Sequence, residues 1–194
     1  MKTRKHYKAN VIKSRKKYNG EHALYDGELL HDKPNGKGII IFDNGDKYEG
    51  VLKDARRNGK GTYVYANEKD RYEGNWKNGQ KNGKGKYEYA NGDKYEGNWK
   101  NGQTVNGIMI YANGDKYEGD WKYGFRHGKG NYLFKNGNRY IGNWKDGNMH
   151  GKGNYLYKNG DRYIGNWKDD KMHGLGKMIY KNGDRYKVKD GMEF

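Results

Sequence analysis

The chain has 194 residues, enough for one ordinary domain, and carries 40 Lys and Arg against 24 Asp and Glu, a formal charge of +16. It contains no Cys, which excludes disulfides and thiolate metal sites and argues against a small secreted scaffold. No apolar run approaches the roughly 18 residues that suggest a membrane-spanning helix. The N-terminus, MKTRKHYKANVIKSRKKYNG, lacks the apolar stretch of a secretory signal, so a cytoplasmic location is expected.

Residues 1–20 are expected to form a flexible basic tail. They hold Lys2, Arg4, Lys5, Lys8, Lys13, Arg15, Lys16 and Lys17 and no acid, so half of the +16 sits in a tenth of the chain. Tyr7, Val11 and Tyr18 would line one side of this segment if a surface induced it to become helical. Such a tail suits anionic lipid, at about 1 kcal/mol per basic residue. It equally suits an acidic protein surface such as a tubulin tail, nucleic-acid phosphates, or solubility alone.

The body, residues 21–194, is poor in aliphatic residues. Leu, Ile, Val and Phe make up about 13% of the chain, below the roughly 20% under which a highly charged chain is expected to be disordered. The rings argue the other way: 20 Tyr, 5 Trp and 4 Phe are present. Each buried ring removes roughly 150–250 Å² from water, so a core built from Tyr and Trp is feasible.

The rings are periodic. Tyr25, Tyr48, Tyr72, Tyr95, Tyr117, Tyr140, Tyr163 and Tyr186 follow one another at intervals of 23, 24, 23, 22, 23, 23 and 23 residues. Repeats are therefore expected near 25–47, 48–71, 72–94, 95–116, 117–139, 140–162 and 163–185, with a cap at 186–194. In the cap Val188 replaces the expected Gly, as terminal repeats are usually atypical.

Within a repeat the period is two. Tyr72, Gly74 and Trp76 alternate with Glu73 and Asn75; Gly83, Gly85, Tyr87 and Tyr89 alternate with Lys84, Lys86 and Glu88. This describes two strands with one covered and one wet face, joined by the polar turn KNGQKN. The expected register sets Trp76 against Gly83, Gly74 against Gly85 and Tyr72 against Tyr87, with rings lying flat over bare backbone. Asn44-Gly45, Asn91-Gly92, Asn113-Gly114, Asn136-Gly137, Asn159-Gly160 and Asn182-Gly183 then join successive hairpins, and Asn-Gly predicts two-residue loops with both residues at positive φ. At Asn67-Glu68-Lys69-Asp70 the loop should be one residue longer. The expected fold class is all-β: an elongated single-layer antiparallel meander of stacked β-hairpins. Its sixteen or so strands would span about 70–75 Å. In the repeat at 95–116 the Lys-Gly of G-K-G is missing and Ile108-Met109-Ile110 is unusually apolar, so a local change of curvature near 103–110 is expected there, either drift in one copy or a bend that shapes a docking site.

The consensus Y-x-G-x-W-K-x-G-x-x-x-G-x-G-x-Y-x-Y-x-N-G resembles the MORN repeat. YEGNWKNG, NGKGKYEYANGD and YIGNWKDGNMHGKGNYLYKNGD carry the likeness; Leu29 and Leu52 replace Trp in the first two repeats. The resemblance covers residues 25–186. It implies an all-MORN chain of the scaffold or adaptor type, which receives a peptide or helix in a shallow groove and belongs to a cytoskeletal, ciliary or axonemal assembly.

The candidate groove is the aromatic ladder Tyr72, Trp76, Tyr95, Trp99, Tyr117, Trp121, Tyr140, Trp144, Tyr163 and Trp167. Read as packing alone it is simply the core, yet a single sheet has no second layer to cover it, so part of the ring face should meet a partner protein. Two lysine ladders follow the repeat: Lys37, Lys60, Lys84, Lys129 and Lys152 within G-K-G, and Lys77, Lys100, Lys122, Lys145 and Lys168 after the Trp positions. They read as a solvated face, or as contacts for acidic protein tails or anionic lipid. His127, His150 and His173 share one slot. Equivalent residues stand about 9–10 Å apart, too far to converge on one Zn²⁺, so no metal or other cofactor is expected. Nor is catalysis, since nearly every polar residue is a copy and the lone Ser is Ser14. Nucleic acid is not favoured, because the strongest charge lies apart from the rings. No feature of the sequence speaks to oligomeric state.

Overall fold

A computed structural model of the chain describes residues 14–18, 21–66 and 69–189. The described residues form sixteen strands and no helix. The first seven are β1 (Ser14–Tyr18), β2 (Glu21–Leu30), β3 (Lys33–Phe42), β4 (Lys47–Lys53), β5 (Arg56–Val64), β6 (Arg71–Lys77) and β7 (Gln80–Glu88). Then come β8 (Lys94–Lys100), β9 (Gln103–Ile110), β10 (Lys116–Lys122), β11 (Phe125–Leu133) and β12 (Arg139–Lys145). The last are β13 (Asn148–Leu156), β14 (Arg162–Lys168), β15 (Lys171–Ile179) and β16 (Arg185–Val188). Neighbours in sequence are neighbours in one antiparallel, single-layer sheet. The chain divides into two compact units, one of residues 1–90 with 100–102, the other of residues 91–99 with 103–194.

Within the first unit, Tyr72↔Tyr87 and Gly74↔Gly85 pair as expected. Trp76 does not meet Gly83. The register slips after Gly74, so that Trp76 faces Lys81 and the turn shrinks to Asn78-Gly79. Asn82, Gly83 and Lys84 on β7 oppose Asn75 alone on β6, a bulge that puts Gly83 at φ +85°. Trp76 finds its glycine on the strand before, Gly59↔Trp76. In the second unit Gly128↔Trp144 and Gly151↔Trp167 repeat this. The bulge has a chemical counterpart: Tyr72 Oη donates to the carbonyl of Asn75, 2.9 Å away, the residue without a β7 partner. Tyr25, Tyr48, Tyr95, Tyr117, Tyr140 and Tyr163 donate in the same way to the carbonyl three residues on.

The two-residue conformation expected between repeats occurs instead inside them. The two-residue turns with both residues at positive φ are those inside the repeats, such as Asn78-Gly79 and Asp146-Gly147. At Asn44-Gly45 only Gly45 is left-handed. There Gly45 N–H donates to Phe42 O and Phe42 N–H to Asp46 O, which is a three-residue loop ending in a glycine bulge. Asn44 Oδ1 accepts from Asp46 N–H, so the Asn serves as an Asx turn and does not need positive φ. Around residue 67 the corresponding bond runs from Tyr65 N–H to Asp70 O, one residue longer; Asn67 and Glu68 lie outside the described residues.

Arg15, Lys16 and Lys17, expected in a flexible tail, lie on β1, whose backbone pairs with β2 from Ser14↔Tyr25 to Tyr18↔Glu21. Without it the outer edge of β2 would leave a row of unpaired backbone groups. Lys2, Arg4, Lys5, Lys8 and Lys13 lie outside the described residues, as do 190–194 of the expected cap. Val188, the substitute for Gly in the cap, is buried opposite Gly176.

Candidate partner-binding face

Alternation places all repeat Tyr and Trp side chains on one face of the sheet. Tyr72 lies across Gly74 and Gly85: a Cβ on Gly74 would stand 2.5 Å from Tyr72 Oη, 2.5 Å from Gly85 Cα and 2.8 Å from Lys84 O. The Trp then closes over the Tyr. Trp76 meets Tyr72 and the preceding repeat's Tyr48 edge-on, at 5.1 and 5.5 Å between ring centroids. In the second unit Trp144 bridges Tyr140 and Tyr117 at 5.2 and 5.4 Å, and Trp167 bridges Tyr163 and Tyr140 at 5.4 and 5.3 Å. Near-perpendicular rings set a positive edge against a negative face. Trp76, Trp121, Trp144 and Trp167 thereby each staple one repeat to the one before.

This packing changes the role of the ladder. Tyr72, Trp76, Tyr95, Trp99, Tyr117, Trp121, Tyr140, Trp144, Tyr163 and Trp167 are all buried, none more than 9% exposed. They form a floor and offer a partner almost no area. Glycine rows let the Tyr rings sink to the backbone, and the next repeat's Trp covers Tyr48, Tyr95, Tyr117 and Tyr140. Burial raises the Tyr72 hydroxyl to about 12.

The surface of the ring face is a second row that the sequence reading passed over. Tyr65 and Tyr89 in the first unit, and Tyr111, Phe134 and Tyr157 in the second, are half-buried. They lean on the row beneath: Tyr65 on Tyr63 at 4.7 Å, Phe134 on Tyr132 at 4.5 Å, Tyr157 on Tyr155 at 4.7 Å. The second Tyr of Y-x-Y was the available signal for Tyr65, Tyr89 and Tyr157; Tyr111 and Phe134 hold the same position in Met-Ile-Tyr and Tyr-Leu-Phe. This position follows the strand end, and its ring also meets a ring of the next repeat, Tyr65 with Tyr87 at 5.8 Å and Phe134 with Tyr155 at 5.7 Å.

In each unit one strand position lies opposite the Leu or Trp of its own hairpin: Arg57 and Lys81 in the first unit, Arg126, Met149 and Met172 in the second. The Arg57 guanidinium lies 4.5 Å from the Trp76 ring and donates to Gly79 O at 2.9 Å. Arg126 does the same with Trp144 and Gly147 O, at 4.5 and 2.6 Å. Lys81 Nζ stands 4.2 Å from the centre of the Tyr87 ring. Burial, then repulsion from Arg57, pulls its ammonium down to about 8, with Asp70 acting the other way.

One margin of the ring face is stitched by the acid of N-G-D. Asp46 accepts from Tyr63 Oη and from Ala66 N–H of the following turn. In the second unit Asp115 accepts from Tyr132 Oη at 2.7 Å and Lys135 N–H at 2.7 Å. Tyr132 is thus held upright beside Phe134.

The lysines of both ladders are exposed on the opposite face, as strand alternation requires. His127 and His150 Nδ1 stand 3.6 Å from Asp146 and Asp169 of the next turn. Among the described residues no group of His, Cys, Asp and Glu could hold a metal.

Comparison with known proteins agrees with this geometry. The MORN repeat family matches residues 25–47, 48–68, 72–94, 95–116, 117–139, 140–162 and 163–185. No curated protein matches the chain. Among solved structures, the chain is similar to the TCP domain of Drosophila melanogaster SAS-4 (dCPAP) in complex with a proline-rich motif of Ana2 (dSTIL). The TM-score is 0.51 at 18% identity, over 80% of this chain and 85% of that one. The G-box domain of the microcephaly protein CPAP aligns at 14% identity over 89% and 95% of the two chains, TM-score 0.33. The TCP10 domain of Danio rerio CPAP, in complex with a STIL peptide, aligns at 14% over 88% and 95%, TM-score 0.24. The fly domain shares the fold, and the seven consecutive matches show that the chain belongs to the MORN-repeat family.

Proposed function

We propose that the chain is a non-catalytic scaffold or adaptor that binds a protein partner across its ring face, as a component of a cytoskeletal or ciliary assembly. One observation carries the reading: a regular row of half-buried rings, Tyr111, Phe134 and Tyr157 in the second unit, lies over a rigid aromatic floor with no second layer among the described residues. Rigid rings bring large apolar area at low entropic cost, which is what peptide-recognition surfaces use. The fly domain of the same fold holds a proline-rich motif, which supports an extended segment as the occupant. The cytoskeletal setting rests on the resemblance to all-MORN chains.

The test is affinity capture from the protein's own cells with the full chain and with Tyr111→Ser/Phe134→Ser/Tyr157→Ser, after a thermal melt shows both folded. Partners held by the first should be lost from the second. An unchanged set of captured proteins would refute docking on this face.

A further inference from the structure

The face opposite the rings changes character along the second unit. Strand β10 reads KYEGDWK, and its Lys116 stands 3.8 Å from Glu118. In the first unit Lys47 and Arg71 pair likewise with Glu49 and Glu73, at 3.3 and 2.9 Å. Strands β12 and β14 read RYIGNWK, so Ile141 and Ile164 stand where those acids stood. Arg139 and Arg162 lose the acid and keep only a neutral partner: each Nε donates to an Asn Oδ1 at 2.7 Å, Asn131 and Asn154. Strands β11 to β16 contain no Asp or Glu at all.

The pairing register orders these residues into a row across eight strands: Ile110, Lys116, Leu133, Arg139, Leu156, Arg162, Ile179, Arg185. Aliphatic and cationic side chains alternate strictly. Beside the row, on the same face, stand Ile141 and Ile164, 41% and 38% exposed. An open depression on this face is lined by Glu118, Lys129, Asn131, Arg139, Ile141 and Asn143.

Geometry selects the complement. Strands lie about 4.8 Å apart, so the cations recur about every 9.6 Å with an aliphatic side chain midway. An α-helix laid along the row rises about 1.5 Å per residue. Residues seven apart are then about 10.5 Å apart on one side, and residues three or four apart fall midway. An extended strand fails: residues three apart face opposite ways, and those two or four apart are spaced about 6.7 or 13.4 Å. A polyproline helix returns to one side every third residue, at about 9.3 Å, but leaves nothing midway for Leu156 and Ile179. We propose that the second unit's face opposite the rings is a second docking surface, whose occupant is a partner protein's amphipathic helix with a carboxylate at every seventh residue and aliphatic side chains between.

The probe is a labelled synthetic helix with Glu at every seventh position and Leu three and four residues after each. Its control has the same composition with the Glu spread around the helix. Fluorescence anisotropy with the full chain should show binding of the first and about tenfold weaker binding of the control. Ile141→Glu/Ile164→Glu gives Arg139 and Arg162 the in-strand acid that Arg71 already has in Glu73, so the fold is preserved. It should weaken the probe about tenfold, the combined loss of two exposed ion pairs and two aliphatic contacts. Arg139→Gln/Arg162→Gln should weaken it similarly without adding charge. Equal binding of probe and control, or wild-type affinity in either double variant, overturns the proposal. So does absent probe binding while phosphatidylserine vesicles or single-stranded DNA bind and respond to Ile141→Glu/Ile164→Glu, which would assign the strip to phosphates.

Discussion

A methyl group added to Gly74 tests the packing on which every other feature rests. Gly74 does not lie in the left-handed region, so Ala could adopt its backbone freely. On conformational grounds alone Gly74→Ala would stabilise the chain by about 0.4–1 kcal/mol. The structure reverses the sign. The new Cβ would stand 2.5 Å from Gly85 Cα and 2.8 Å from Lys84 O, backbone atoms of the paired strand that cannot swing aside, and 2.5 Å from Tyr72 Oη. The ring must rise off the backbone, breaking its 2.9 Å bond to Asn75 O and its edge contact with Trp76. Overpacking costs about 1–3 kcal/mol and a lost buried hydrogen bond about 1 kcal/mol more, so after the conformational gain a net loss of about 1–3.5 kcal/mol is expected. Gly79→Ala is the counter-experiment. Its φ is +84° and nothing lies within 4 Å of a built Cβ, so it should lose only the roughly 1–2 kcal/mol of left-handed strain. Urea unfolding followed by Trp fluorescence and by far-ultraviolet circular dichroism gives both values and shows whether the array unfolds in one step. If Gly74→Ala is neutral, or costs less than Gly79→Ala, the ring-on-glycine core is wrong.

Two further predictions concern the same face. Tyr72→Phe keeps the ring and removes the donor to Asn75 O, and should cost about 1–2 kcal/mol in the same unfolding assay; no change would show that the bulge carbonyl does not need the hydroxyl. Lys81→Met gives this strand position the residue that stands there as Met149 and Met172, and should raise stability at neutral pH. Folded Lys81 titrates at about 8 against 10.5 unfolded, so between these values the unfolded chain holds a proton that the folded chain has released, and wild-type stability climbs with pH. The advantage of Met should therefore be full below pH 8 and shrink toward pH 10 in thermal melts across that range. Tyrosine titration is common to both proteins and cancels in the difference. A pH-independent difference would mean that the ammonium is not desolvated.

The repeat, the hairpin meander and the row of rings were legible because each is a local rule. Alternation assigns faces, a 23-residue interval assigns repeats, and glycines beside large rings have no other use in a strand. Turn identity was not legible at Asn44 or Asn78. Both are followed by Gly, and which Asn must be left-handed depends on how many residues the flanking register leaves to the loop. Trp76 was matched to the wrong glycine because the bulge at Asn75 shifts the pairing, and only the preceding strand, with Gly59, restores it. The candidate site shows the same division. Sequence identified the face, but burial of Trp144 depends on Tyr117, Tyr132 and Arg126 of the preceding repeat, and depth in a sheet is a property of neighbours. What the chain alone determined is its periodic pattern of rings, glycines and charges, because backbone geometry turns spacing into sides. What tertiary structure decided is which rings become floor and which become surface, because depth follows from residues about twenty positions away that meet only when the strands pair.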